Sequence, residues 1–170
     1  AYELTRHALA VAHEYQTPAF ILTDQYLVDL NATCAPLDAA YRPVDRGLVA
    51  GGADYVRYAL TDSGISPRAI PGGDAFVLAD SDEHTEDGHV TEDLTVRVQM
   101  VDKRLRKEAG MGAAALPPTA YRAEDADTLL ICWGSTYGAC REAVDLLREA
   151  GETAGMLHFG QVWPLNAEAV

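Results

Sequence analysis

Apolar residues recur at Leu4, Ala8, Val11, Ala12 and Tyr15, a helical spacing that predicts a first helix over 2–15. Gln16-Thr17-Pro18 breaks it. The continuous apolar run Ala19-Phe20-Ile21-Leu22-Thr23 then reads as a strand of a parallel sheet buried on both faces, with Asp24 at its C-terminal end. Residues 29–53 hold Pro36, Pro43, Gly47, Gly51 and Gly52 without a sustained period, and read as a linker or covering loop. Alternation over 55–60 and an apolar run over 76–79 predict two short strands. Helical period returns from 90 to 110 through Leu94, Val98, Val101 and Leu105, with Thr91 as cap and Glu92-Asp93 in the first turn. Lys103, Arg104, Arg106 and Lys107 would complement the dipole at its end, and Gly110 and Gly112 would stop it. Residues 113–119, with Pro117-Pro118, form a second linker and a domain boundary. After it come a buried strand (128–133), a tight turn (134–138), an amphipathic helix (139–150) ending at Gly151, and a second strand (153–159). That is a βαβ unit with a right-handed crossover. Residues 166–170 read as a helix opening from an Asn166 cap.

Composition narrows the function. The chain has 170 residues, is 48% apolar and carries a formal net charge of −13, which suits a globular core and argues against nucleic acid or an anionic membrane surface as partner. No apolar run reaches the roughly 18 residues of a membrane span. Three cysteines, Cys34, Cys132 and Cys140, are too few for a disulfide framework or for the usual four-thiolate iron–sulfur site, and they point to a reducing cytoplasm. Both ends have a cut look, so we expect a portion of a longer polypeptide.

Two stretches stand apart. Residues 64–73 read G-I-S-P-R-A-I-P-G-G, stiff at Pro67 and Pro71 and able to turn at Gly64, Gly72 and Gly73. Arg68, tethered between the two prolines, suits a carboxylate or phosphate through a bidentate fork, and a carboxylate of the neighbouring acidic loop is as good a partner. Residues 81–93 crowd acids around His84 and His89. Glu83, His84, Glu86 and His89 are possible metal ligands, but their spacing is not that of a helical metal motif. Acids and histidines presented at a cleft or subunit boundary, with His84 or His89 handling a proton or hydrogen-bonding a polar ligand, are the alternative, and a solvated loop whose acids cap turns is the plain one. The turn Gly134-Ser135-Thr136 offers N–H groups and hydroxyls to an anion, yet lacks the glycine and lysine pattern of a phosphate loop. Asp24 either serves a ligand or caps the next turn.

At these residues the chain resembles a known family. The order D-Q-Y-L, R-Y-x-L-T-x-x-G-I-S-P-R-A-I-P-G, D-E-H-x-E-D-G-H-V-T-E-D and M-V-D-K-R-L-R-K is similar to the α subunit of 2-oxoacid:ferredoxin oxidoreductases, most of all the 2-oxoglutarate type. The likeness continues through L-L-I-C-W-G-S-T, E-A-V-x-L-L and L-H-F-x-Q-V-W-P-L, from Ala19 to Leu165. The resemblance implies an α/β chain. Residues 1–30 would be the tail of a thiamine-diphosphate pyrimidine-binding-type domain and 31–125 connecting loops, short strands and one long helix. Residues 126–170 would start a transketolase-C-terminal-like βαβ domain. It implies oxidative decarboxylation of a 2-oxoacid to an acyl-CoA, with electrons passed to ferredoxin. Thiamine diphosphate, Mg2+ and a 4Fe-4S cluster would sit mainly on a partner β subunit and none on this chain alone. The family's Tyr-Pro-Ile-Thr-Pro element has no counterpart in this chain. Arg68, His84, Glu86 and His89 are then expected to border the substrate channel, and Asp24, Gly134, Ser135 and Thr136 the cofactor, with further contacts between copies of the complex. A non-catalytic dimerisation module is the competing class, and a metal-dependent hydrolase built on 83–89 a third.

Overall fold

The computed structural model describes residues 1–166, and the expected helix at 166–170 lies outside them. The chain forms two compact units: residues 1, 3–19 and 39–111 make the first, and residues 2, 20–38 and those from 112 onward the second. Among the described residues no helix is long and apolar enough to cross a membrane.

The first unit opens with α1 (Tyr2–Glu14), the helix that its apolar spacing predicts. The helix ends where Gln16 turns into the left-handed region, with φ 49°. Gly110 leaves room for the Tyr15 ring, since a Cβ there would lie 3.0 Å from it, and the Tyr15 hydroxyl donates to the Gly110 carbonyl at 3.0 Å. The strands expected over 55–60 and 76–79 are irregular chain instead. Pairing falls where loops were expected: β1 (Leu48–Val49) runs parallel to β2 (Arg68–Ala69), Leu48 opposite Arg68. A short apolar run becomes a strand only if another edge takes its backbone groups, and β1 and β2 supply each other with one.

The long helix, α3, spans Leu94–Ala113 rather than 90–110. Asp93, not Thr91, caps it, its Oδ1 accepting from the N–H groups of Thr95 at 2.7 Å and Val96 at 3.3 Å. The helix runs through Gly110 and Gly112, so its four cations lie mid-helix and do not close its dipole. They reach sideways instead. Lys103, 5% exposed beside the buried Met100, donates from Nζ to the Tyr58 carbonyl at 2.7 Å. Lys107 Nζ donates to the Gln16 carbonyl at 3.0 Å, Arg106 to that of Thr61 at 3.0 Å, and Arg104 forks onto Glu83. Gly64 (φ 78°) passes so close to this helix that a Cβ would lie 2.2 Å from the Lys103 carbonyl oxygen.

The second unit holds the βαβ motif. β4 (Thr128–Trp133) leads through a 3-10 turn (Gly134–Thr136) into α4 (Tyr137–Glu149) and β5 (Ala154–Phe159). β4 and β5 are parallel, Thr128 opposite Ala154. α4 ends in a Schellman motif: Gly151 (φ 91°) and Glu152 donate to the carbonyls of Arg148 and Leu147. β3 (Thr119–Tyr121), expected as linker, adds antiparallel to β5 and gives the order β3-β5-β4. Cys132, Val144 and Met156 form the core, with Tyr121, Leu130, Tyr137 and Cys140 against them. β4 is not buried on both faces as its composition suggests. α4 covers the side of Leu130 and Cys132, while Ile131 and Trp133 stay 63% and 64% exposed. The apolar run 19–23 is irregular as well, with Phe20 85% exposed, because among the described residues no strand pairs with it. Asp24 caps a short α2 (Gln25–Asp29) through the Leu27 N–H at 2.8 Å.

Two expectations follow. Gly64→Ala forces both a strained φ and a clash, and should cost about 2 kcal/mol or more in urea unfolding. Gly138→Ala, in α4 with open space around a Cβ, should instead be neutral or stabilising by about 0.5 kcal/mol. The second concerns Lys103, whose burial lowers its pKa from 10.5 to about 8, helped by Lys107 and Arg57. Between about pH 8 and 10 the unfolded chain keeps a proton that the folded one has shed, so this residue makes the fold more stable as pH rises through that window. The stability difference between wild type and Lys103→Met should therefore shift toward wild type by on the order of 1 kcal/mol between pH 7.5 and 10.5. Parallel pH curves would contradict it.

Candidate functional site

The acidic stretch is not a loose solvated loop. His84 and Val90 bridge antiparallel, Thr85 N–H donates to the His89 carbonyl at 2.9 Å, and Thr91 N–H to that of Glu83 at 2.9 Å. Gly88 (φ 97°) makes the tip, where a Cβ would lie 2.4 Å from the Leu78 carbonyl oxygen. Asp87 serves the tip by accepting from the Thr85 hydroxyl and the His89 N–H, bonds that lower its carboxyl pKa to about 2. His89 lies exposed beside Asp87, at 3.0 Å.

What this hairpin holds is the Arg57–Tyr58 segment. His84 is buried and stacks on the Tyr58 ring, centroids 3.7 Å apart. Glu86 accepts from Tyr58 N–H through its carbonyl at 2.8 Å, and from Leu60 N–H through its carboxylate at 2.7 Å. From the other side come Lys103 on the Tyr58 carbonyl and the Arg57 guanidinium, 5.0 Å from the Tyr58 ring centre. Gln16 joins these parts: its Oε1 accepts from Arg57 at 3.1 Å, its Nε2 donates to the Ser66 carbonyl at 2.5 Å, and its own carbonyl takes Lys107. That triple use accounts for a non-glycine residue at a positive φ.

Arg57, Lys103 and Lys107 thus gather in one partly buried place. Among the described residues none of the three forms an ion pair with a carboxylate; each donates to a neutral oxygen. Burial lowers the pKa of Lys107 too, with Arg57 and Arg104 adding to the effect. In a chain of net charge −13, neighbouring cations outside any ion pair, with Glu86 near enough to act on Lys103, form an arrangement suited to an anion. None of the three was singled out from the sequence. The available signal was spacing, since Lys103 and Lys107 share the face of Met100, where cations do not belong unless something holds them.

Arg68 turns away from the acidic loop. Its Nε donates to the Arg46 carbonyl and its Nη2 to the His13 carbonyl, both at 2.8 Å, so it ties backbone together where a carboxylate partner was expected. Glu83, His84, Glu86 and His89 do not converge either. Glu83 is forked by Arg104, His84 stacks on Tyr58, and Glu86 holds the backbone. Among the described residues no three His, Cys, Asp or Glu side chains are grouped to hold a metal.

In the second unit Asp24 and Ser135 are brought together. The Asp24 carboxylate accepts from the Leu27 N–H at 2.8 Å, and its pKa is lowered by the nearby Ser135 hydroxyl first and by that N–H second. The Thr136 hydroxyl donates to the Trp133 carbonyl at 2.5 Å, and His158 Nε2 lies 2.9 Å from the Gly134 carbonyl. The Ser135 hydroxyl of this turn thus lies near the chain's own Asp24 carboxylate. A depression of about 420 Å³ lined by Arg122, Asp145, Arg148 and Glu149 is likewise self-satisfied, Arg148 pairing with Asp125 and Arg122 with Asp145.

No family model matches the chain. It is 32% identical over 171 residues to subunit alpha of 2-oxoacid:ferredoxin oxidoreductase 1 from Sulfurisphaera tokodaii, covering 96% of this chain and 26% of that one. It is 33% identical over 168 residues to subunit alpha of 2-oxoacid:ferredoxin oxidoreductase 2 from Aeropyrum pernix, covering 94% and 26%. The chain spans about a quarter of the length of these curated relatives. Its fold is similar to a solved 2-oxoglutarate:ferredoxin oxidoreductase from Magnetococcus marinus with 2-oxoglutarate, coenzyme A and succinyl-CoA bound, with TM-score 0.82 and 29% identity over 97% of this chain and 29% of that one. Over the segment it represents, the chain belongs to the α-subunit family of 2-oxoacid:ferredoxin oxidoreductases.

Proposed function

We propose that this chain is the part of an oxidoreductase α subunit that presents a cationic site to a 2-oxoacid. The enzyme as a whole would release CO2 from that acid, pass the acyl group to coenzyme A and two electrons to ferredoxin. The observation that carries the reading is the alignment of nearly the whole chain with subunits of that name. 2-Oxoglutarate is the favoured substrate, because the similar solved enzyme holds it together with coenzyme A and succinyl-CoA.

A 2-oxoacid arrives as an anion, and 2-oxoglutarate carries two carboxylates, so a strongly acidic chain needs local positive charge to receive it. Arg57, Lys103 and Lys107 supply that charge. Arg57, half-buried and bonded through only one nitrogen to Gln16, is the one we assign to the substrate carboxylate. Tyr58, clasped by His84, Glu86 and Lys103, holds it in place. In this reading His84 and Glu86 act through Tyr58, Arg68 anchors the loop beneath it, and His89 with Asp87 stands at the rim where a proton could be handled. Asp24, Gly134, Ser135 and Thr136 border the cofactor only by shaping their turn.

The residues described do not fit thiamine diphosphate, magnesium or a 4Fe-4S cluster. Among the described residues no carboxylate group is gathered for the metal, the Ser135 hydroxyl lies near the chain's own Asp24, and Cys132 and Cys140 are used in a core from which Cys34 is absent. We therefore assign these groups mainly to a partner β subunit. The domain reading, with residues 1–30 from a pyrimidine-binding-type domain and 126–170 from a transketolase-C-terminal-like one, is part of the same proposal and draws support from the β4–α4–β5 unit.

The test uses the full-length α subunit assembled with its partner and follows 2-oxoacid-dependent, CoA-dependent reduction of ferredoxin. Turnover should be greater with 2-oxoglutarate than with pyruvate. Arg57→Ala should raise KM for the 2-oxoacid at least tenfold, about 1.4 kcal/mol, with a smaller loss in kcat, and Arg57→Lys should recover part of it. An unchanged KM would leave this segment the supporting, non-catalytic role that competes with the proposal.

A further inference from the structure

Cys132 and Cys140 have no part in the reading above, yet the fold brings them together. Cys132 closes β4 and is 4% exposed, in the core with Val144 and Met156. Cys140 lies in the first turns of α4, is half-buried, and packs against that core from the solvent side. The Cys132 pKa is raised, by burial first and by the neighbouring Cys140 thiol next, so the two thiols are neighbours within this cluster. Cys34 is exposed and outside this cluster.

We propose that Cys132 and Cys140 form a redox-active dithiol that a peroxide converts to an intrachain disulfide across the Gly134–Thr136 turn. The more accessible Cys140 sulfur attacks the peroxide, whose O–O bond breaks. Sulfur gains the OH as a sulfenic acid, and the other oxygen leaves as water or an alcohol with the thiol proton. Cys132 sulfur then attacks Cys140 sulfur, the S–O bond breaks, and hydroxide leaves with the Cys132 proton as water. Two thiols lose two electrons and the peroxide takes them up. A dithiol reductant reverses the change. Burial favours this pairing, since Cys132 is shielded from direct oxidation and shares its cluster with a sulfur that is only half-buried. Closing the bond brings the two sulfurs to about 2.04 Å and ties β4 to α4 across the Gly134–Thr136 turn. The consequence falls on the turn that carries the Asp24–Ser135 contact.

The sequence places both cysteines in one tryptic peptide, residues 123–141. The full-length protein, purified with its subunits under reducing conditions, would be treated with hydrogen peroxide, quenched with an alkylating agent in acid, then denatured and digested. The expected result is a peptide lighter by two hydrogens with neither cysteine alkylated, restored to two alkylated thiols by dithiothreitol, and unchanged in a Cys34→Ser variant. In Cys140→Ser the disulfide form is lost and Cys132 is alkylated after denaturation. Two alkylated cysteines after peroxide, or Cys140 found only as sulfinic or sulfonic acid, would overturn the proposal.

Discussion

The first unit depends on the burial of the Lys103 amine against the Tyr58 carbonyl. Taking an ammonium group out of water is costly, and the chain offsets the cost with one short hydrogen bond at 2.7 Å and the face of the Tyr58 ring, 5.8 Å away. The lowered pKa of Lys103 is the residual of that balance. The same contact fixes where Tyr58 can be, and everything described around the site follows from that position. His84 stacks on its ring, Glu86 takes its N–H, and the chain at Gly64 must pass against the Lys103 turn with no side chain.

Held this way, the acidic hairpin has a function different from the one its composition suggests. Its carboxylates are mostly working parts of the fold. Glu83 pairs with Arg104, Glu86 grips backbone and Asp87 shapes the tip. The positive charges facing them from α3 are arranged in two ways. Arg104 is neutralised by the hairpin, whereas Lys103 and Lys107 are held by neutral oxygens, as is Arg57 from the segment outside this helix. A neutral acceptor positions a cation without cancelling its field, so the charge stays available to an incoming anion.

The second unit is organised by parallel pairing. β4 and β5 need a crossover between them, α4 supplies it, and the side of the sheet that α4 covers contains the small core of Cys132, Val144 and Met156. The other side keeps Ile131 and Trp133 exposed. A continuous apolar strand thus packs on one face within the described residues, and the shared core packs the two thiols together.

Periodic and capped stretches could be read from the residues. The residues of α1, β4, α4 and β5 show their period over enough length that local propensity and burial agree, and Gly151 marks the end of α4 through its positive φ. The family likeness was likewise legible, because runs such as G-I-S-P-R-A-I-P-G depend on order and not on folding. The short strands were not, since runs such as 19–23 and 76–79 have no pairing of their own, and only tertiary structure decided that Leu48 and Arg68 would pair instead. The direction of Arg68, the convergence of Arg57 with Lys103 and Lys107, and the meeting of Asp24 with Ser135 were decided there too. Each joins residues 22 or more positions apart, and hydrophobic periodicity within one element says nothing about where a distant cation or carboxylate is brought.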